Sequence, residues 1–215
     1  MTLLDEVNAH TREAYNLAAH RYHELFAEEL EGKPYDRKLL DGFAAHYGPA
    51  SLLCDAGCGP SAHIGRYLRE KGIPVMGVDI SDECARLARR HNPGMRVLCA
   101  DMGELPLGGE TLDGVVAYYS ILDTPKSLAG RFIAEFHRVL RPGGRLLVAV
   151  KAGKEEGYRE ELLGVKTRIY FSLFTMEEIR SYFQEGGFSV ELLDERAPYP
   201  SEIAVGRIYG IGRRL

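Results

Sequence analysis

The chain is poor in the features that mark several classes of function. It holds four cysteines in 215 residues, Cys54, Cys58, Cys84 and Cys99, with no CxxC pair and no histidine partner at zinc-site spacing. That pattern frames neither a disulfide scaffold nor a thiolate metal site; it predicts reduced, mostly buried thiols in a cytoplasmic protein, and no metal. Basic residues are not in excess. A net charge of −4 supplies no global field for holding phosphate backbones, so no nucleic-acid partner is expected. The opening MTLLDEVNAHTREAYNLAAH lacks a long apolar run, which fits neither a signal peptide nor a membrane span, and no membrane partner is expected. There is no internal repeat and no low-complexity tract. What is present is a hydrophobic fraction of 45% with 27% charged residues, enough to bury one full core, with a helical extension in front.

The stretch LLCDAGCGPSAHIGRYL, Leu52 to Leu68, organises the rest. It reads as a buried strand, a turn bearing Gly57 and Gly59, and a helix with Ile64, Tyr67 and Leu68 on one face. Glycine lets backbone N–H groups approach a ligand, which makes the turn a nucleotide-site candidate; a merely tight connection would look the same. Ahead of it, apolar residues at helical spacing from Leu3 to Leu30 predict one helix or two, and a further helix carries Leu39, Leu40, Phe43 and Tyr47. Behind it, strands at Pro74 to Asp79, Met95 to Asp101, Leu112 to Ser120 and Arg145 to Val150 alternate with helices opening at Ser81 and running from Leu128 to Leu140. Near-continuous apolar strands in that rhythm predict a mainly parallel sheet covered on both faces. Lys151 to Ser172 is charged and punctuated by glycine before turning strand-like at RIYFSLF, and Thr175 with Glu178 forms a capping box for another helix. FSVELLDE and EIAVGRIYGIG then follow with only a short proline-bearing loop between them, too short for a helical crossover, so this pair is antiparallel.

Asp79 closes the second strand 22 positions after Gly57, where an acidic side chain of a dinucleotide-type fold meets ribose hydroxyls; an Asp that only opens the next helix would stand there too. Asp101 ends the third strand equivalently: its carboxylate can accept from an adenine amine, and the Met102 N–H can reach a ring nitrogen. A pyrophosphate fingerprint would want a third glycine, which Gly57-Cys58-Gly59-Pro60-Ser61-Ala62 lacks. An NAD-dependent oxidoreductase is therefore the weaker alternative.

On these residues the sequence resembles the class I S-adenosylmethionine (SAM)-dependent methyltransferases. Asp55-Ala56-Gly57-Cys58-Gly59 matches the family's first motif; VMGVDIS, CADMGELPL, LDGVVAYYS and RVLRPGGRLLVAV resemble those that follow, in order. The resemblance implies a doubly wound α/β fold with a seven-stranded sheet in the order 3-2-1-4-5-7-6, the seventh strand antiparallel. It implies residues 1–48 as a helical cap and 49–215 as the cofactor-binding core, one structural unit, with 151–174 as a lid or substrate wall. SAM is the implied cofactor: Asp55, Gly57, Cys58 and Gly59 would face its methionine part, Asp79 and Ile80 the ribose, Asp101 and Met102 the adenine. Ser61 stands where a third glycine is usual, so the turn is expected to be reshaped.

Methyl transfer from a sulfonium needs mainly alignment in a water-poor pocket, plus a base when the nucleophile is weakly acidic. Tyr15 and Tyr22 on the first helix either pack in the core or close over the cofactor. Of Tyr118 and Tyr119, one alone faces the site if the strand persists there. His63, Asp123 and the more distant Tyr170 are candidate bases, with capping or surface roles as alternatives for the first two; Tyr119 is a further catalytic candidate. The chain lacks the Asn/Asp-Pro-Pro-aromatic run and the Pro-Cys pair of many nucleic-acid methyltransferases, so the expected acceptor is a small molecule. A SAM-binding protein that acts through a partner without catalysis remains the other reading.

Overall fold

The structure is a computed structural model and describes residues 2–215. Helix α1 (Leu3–Phe26) opens it: the Thr2 hydroxyl accepts from the Asp5 N–H while the Asp5 carboxylate accepts from the Thr2 N–H. This reciprocal cap satisfies two otherwise orphan donors. A 3-10 turn (Glu29–Gly32) separates α1 from α2 (Pro34–Ala44), whose first residue is a proline with its φ already helical. Then follow β1 (Leu53–Ala56), α3 (His63–Glu70), β2 (Val75–Asp79), α4 (Asp82–His91), β3 (Val97–Cys99), β4 (Leu112–Tyr118), α5 (Lys126–Val139) and β5 (Leu140–Lys151). A two-stranded hairpin, β6 (Glu156–Leu162) and β7 (Val165–Ser172), precedes α6 (Met176–Glu185), β8 (Phe188–Arg196) and β9 (Arg207–Arg214).

The main sheet has the order β3-β2-β1-β4-β5-β9-β8. Its first five strands pair in parallel, and β9 is antiparallel to both neighbours. β9 is the seventh strand of that sheet, so this is the expected topology. One face packs Phe132, Ile133, Phe136, Ile179 and Phe183 of α5 and α6 against Val115, Val148 and Val150. The other packs Leu40, Phe43, Ile64 and Leu68 of α2 and α3 against Leu53, Val116, Leu147 and Ala149. Burial on both faces explains why β1 and β2 read as unbroken apolar runs. The capping box at Thr175 and Glu178 is formed as the sequence indicates.

The structure corrects four local expectations. Arg141-Pro142-Gly143-Gly144 does not stand between helix and strand: α5 ends at Val139, β5 already begins at Leu140, which pairs with Leu112, and the glycines form a bulge. β3 spans only Val97–Cys99. The segment after β5 is a hairpin rather than a loop leading into one strand, its glycines placed at the turn and at the strand ends. β4 stops at Tyr118 rather than Ser120, because Tyr119 adopts a left-handed backbone, φ 56°.

Parallel strands share direction, so the carboxyl ends of β1 to β4 line one edge. α1 lies across it, between α4 and β7. Its small buried residues Ala14, Ala18 and Ala19 let it approach closely, Ala19 against Cys84 and Leu87 of α4. Among the described residues no helix is long and apolar enough to cross a membrane, and no group of histidines, cysteines and acids could hold a metal ion.

Candidate functional site

A cleft opens where α1 covers the strand ends, lined by Asn8, Thr11, Tyr15, Tyr22, Gly57, Gly59, Val78, Asp79, Ile80, Ala100, Asp101, Met102, Tyr118, Tyr119, Ser120, Asp123, Thr124 and Phe132. Its floor is the turn after β1. Gly57 and Gly59 both take left-handed backbone, φ 74° and 62°, and a Cβ on Gly57 would lie 2.3 Å from the Ser120 Cβ. Glycine at 57 is therefore required twice, by conformation and by the approach of the β4 turn. Ser120 Oγ is buried beside it without a hydrogen-bond partner, which marks a place for a polar ligand atom.

Asp79 ends β2 with both oxygens engaged once: Oδ2 accepts from the Gly59 N–H at 2.8 Å and Oδ1 from the Ser81 N–H at 2.9 Å. One lone pair remains on each oxygen, the arrangement a cis-diol needs. Burial pushes the Asp79 pKa up to about 6 despite these two donors, and the Asp123 charge adds to the rise. Asp101, beyond β3, accepts from Asn8 Nδ2, from Arg131 and from the Gly103 N–H. Three of about four acceptor positions are thus taken within the protein.

Asp123 ends the 3-10 turn (Ile121–Asp123) after β4. Its Oδ2 accepts from the Tyr15 hydroxyl at 2.7 Å, and its backbone oxygen accepts from Thr11. Burial raises its pKa to about 6, opposed by the Tyr15 hydrogen bond and by the charges of Lys151 and Arg159. Tyr15 and Tyr22 stack obliquely at 6.0 Å, and Tyr22 lies over Gly59. Both Tyr118 and Tyr119 border the cleft, against the expectation that one of them faces it, because the left-handed turn at Tyr119 ends the strand alternation. Their hydroxyls lead away from it: Tyr118 donates to Asp36, and Tyr119 bonds Tyr209, which also reaches Asp36.

Four expected residues lie outside the lining. Asp55 is buried beneath the turn, where Oδ2 accepts from the Gly65 N–H at 2.9 Å and fastens the start of α3, with its pKa raised by burial to about 6. Cys58 is enclosed in the core under the turn, its Sγ against Gly77. His63 turns to Glu29, 2.8 Å from Nε2, rather than to the cleft. Tyr170 stands on the hairpin, edge-on to Tyr158.

Ser61 is accommodated by a different construction. Its hydroxyl is 2.9 Å from Nδ1 of His23 on α1, its carbonyl accepts from Asn92, and Ala62 takes the left-handed conformation, φ 41°. Close packing of α3 on the sheet comes instead from Gly65, where a Cβ would meet Met95 Cε at 2.6 Å and Asp55 Oδ2 at 3.0 Å. Asn8 and Thr11 escape a reading that looks for tyrosines. The signal was present, since 8, 11, 15 and 22 recur at steps of three, four and seven along one face of α1.

Residues 54–148 match the family described as "Methyltransferase domain". The chain is 30% identical over 131 residues to a malonyl-[acyl-carrier protein] O-methyltransferase of Pseudescherichia vulneris, covering 60% of this chain and 51% of that protein. It is 30% identical over 135 residues to a probable tRNA methyltransferase 9B of Mus musculus, 62% of this chain and 28% of that one. The chain thus spans about half the length, or less, of these curated relatives. Among solved structures, Burkholderia thailandensis 1,6-didemethyltoxoflavin-N1-methyltransferase, with its substrate and S-adenosylhomocysteine bound, superposes with a TM-score of 0.77 at 20% identity, covering 100% of this chain and 91% of that one. That likeness is one of fold.

Proposed function

From the premise that this chain is a class I SAM-dependent methyltransferase in fold and in its domain at residues 54–148, we propose that it transfers a methyl group from SAM to a small-molecule acceptor. One observation carries the reading: Asp79 and Asp101, at successive strand ends, retain unfilled acceptor positions along a cleft floored by Gly57 and Gly59. Asp79 would hold the ribose diol, the side of Asp101 and Met102 the adenine, and the Gly57–Gly59 turn with Ser120 Oγ the methionine part. SAM supplies, when bound, a methyl group already activated on a sulfonium. The residues present fit such a cation: the buried carboxylate of Asp79, the half-buried one of Asp123 and the faces of Tyr15, Tyr22 and Tyr118 surround the cleft. Each well-placed aromatic face contributes about 0.5–2 kcal/mol of cation–π attraction and displaces water.

Asp123 is the group placed to take a proton from the acceptor, with a pKa near 6 and one oxygen free of Tyr15. Tyr119 is held away from this role, because its hydroxyl is bound to Tyr209 and burial drives its pKa far up. His63 is engaged by Glu29. The small-molecule reading is supported by the didemethyltoxoflavin enzyme of like fold; the malonyl-[acyl-carrier protein] relative, whose acceptor is an acyl group carried on a protein, and the tRNA methyltransferase relative make macromolecule-borne acceptors the competitors.

Calorimetric titration with SAM and S-adenosylhomocysteine tests the cofactor assignment. Both should bind, and Asp79→Ala should weaken S-adenosylhomocysteine by several-fold to about a hundredfold. No binding to the wild-type protein refutes the reading. Binding with no transfer to any compound of a metabolite pool, and with transfer to tRNA, replaces the acceptor class.

A further inference from the structure

α1 is laid along the strand ends so that its first turns meet the outer end of the cleft, beyond β3, and its later turns the middle: Asn8 reaches Asp101, and Tyr22 lies over Gly59 in the turn after β1. Asn8 thus borders the cleft at the end where Ala100, Met102 and Phe132 also line it. Asparagine is a poorer helix former than alanine, and this one caps nothing. It stands in the interior of α1 with its side chain committed to a tertiary contact.

The chemistry of that contact fixes which way the amide points. The Asp101 carboxylate, ion-paired with Arg131, can only accept, so Asn8 must offer it the NH2 end, and Nδ2 donates to Oδ2 at 2.9 Å. The Asn8 carbonyl is left over: no described residue donates to it, and the side chain is only partly buried along the cleft. On Asp101, Oδ2 is filled twice, by Asn8 and by Arg131, whereas Oδ1 accepts only from the Gly103 N–H at 2.8 Å and keeps one position. Two unfilled acceptors therefore stand on residues in contact, one beyond β3 and one on the helix that covers it. They match a primary amine, which has two hydrogens to give. A carbonyl has none, and setting it against these two oxygens leaves acceptors facing an acceptor.

We propose that Asn8 is a specificity-determining residue, its carbonyl taking one hydrogen of the exocyclic amine of the adenine while Asp101 Oδ1 takes the other, so that the covering helix itself selects an amino base over a 6-oxo base. The proposal rests on the methyl-transfer reading of this cleft. It gives α1 a part in choosing the cofactor as well as in covering it.

Calorimetry compares S-adenosylhomocysteine with S-inosylhomocysteine, in which a 6-oxo group replaces the amine. The wild-type protein should bind the amino form about tenfold or more tightly, and Asn8→Leu and Asn8→Ala should each cut that ratio by about fivefold. Tyr15→Phe, which loosens the same helix without touching the base, should weaken both ligands alike and keep the ratio. A wild-type ratio near one, a ratio unchanged in both Asn8 variants, or one that falls equally in Tyr15→Phe overturns the proposal and leaves the methyltransferase reading in place. Loss of both ligands in both Asn8 variants also overturns it, since Asn8 is then an anchor for the helix alone. Failure of the wild-type protein to bind S-adenosylhomocysteine overturns both readings.

Discussion

The Tyr15 hydroxyl donates to the Asp123 carboxylate at 2.7 Å, joining the middle of α1 to the turn that follows β4. Around that bond the helix is held mainly by polar contacts: Asn8 to Asp101, Asn16 to Ser81, His23 to Ser61. Tyr15→Phe keeps the ring and removes the bond. Because hydrogen bonds to charged groups are worth about 1.5–3 kcal/mol, S-adenosylhomocysteine affinity should fall by about tenfold in calorimetry. The Asp123 pKa should rise above 6, since the Tyr15 bond now lowers it.

Burial raises the pKa values of Asp79 and Asp123 from the ordinary 3.8 to about 6. Their folded pKa lies above the unfolded one, so the folded state binds protons more tightly and each group adds stability as pH falls from about 6 toward 4. His23 acts oppositely: burial and the adjacent His91 lower its pKa from 6.5, so its share of stability is lost as pH falls through 6.5. Thermal unfolding of His23→Gln should therefore show a larger gain on acidification than the wild-type protein.

The same carboxylates make cofactor discrimination depend on pH. A sulfonium cation interacts with ionised Asp79 and Asp123, whereas the sulfur of S-adenosylhomocysteine is neutral. Affinity for SAM should drop below pH 6 by a larger factor than affinity for S-adenosylhomocysteine. A constant ratio from pH 5 to 8 would remove these two groups from the sulfonium's surroundings.

Gly57 and Gly72 form a controlled pair. Both have left-handed φ, 74° and 83°, but a Cβ at 57 meets Ser120 at 2.3 Å whereas one at 72 meets nothing within 4 Å. Gly72→Ala should cost about 1 kcal/mol, the backbone penalty alone. Gly57→Ala should cost about 3 kcal/mol or more, since the collision is between two side chains fixed to backbone. Denaturant titration separates them.

The hairpin β6–β7 can be excised cleanly, because the Leu173 N–H donates to the Glu155 carbonyl at 2.8 Å and the chain ends of the excision already touch. β7 packs on α1, and Ser172 donates to the Thr124 carbonyl at the cleft wall. We infer that the segment is a wall of the acceptor site. Replacing 156–172 with a short glycine turn should leave the main sheet folded and weaken S-adenosylhomocysteine several-fold by loosening α1. Unchanged affinity together with unchanged turnover would end that assignment.

Local chemistry determined much of this protein within the sequence itself. Apolar runs that admit burial on both faces encode β1, β2, β4 and β5; the Thr175 and Glu178 pair encodes the start of α6; a short proline-bearing link without a helix forces β8 and β9 to be antiparallel, although β9 begins only at Arg207 rather than at Glu202. Asp79 could be placed because a strand end is a local feature. Tertiary structure decided what local patterns do not carry. Asp36 is fully buried because Tyr118, Arg196 and Tyr209, from 82 to 173 residues away, supply its donors, and no periodicity near Asp36 announces them. His63 faced Glu29 and Asp55 sank beneath the turn because neighbours from other elements took their polar atoms.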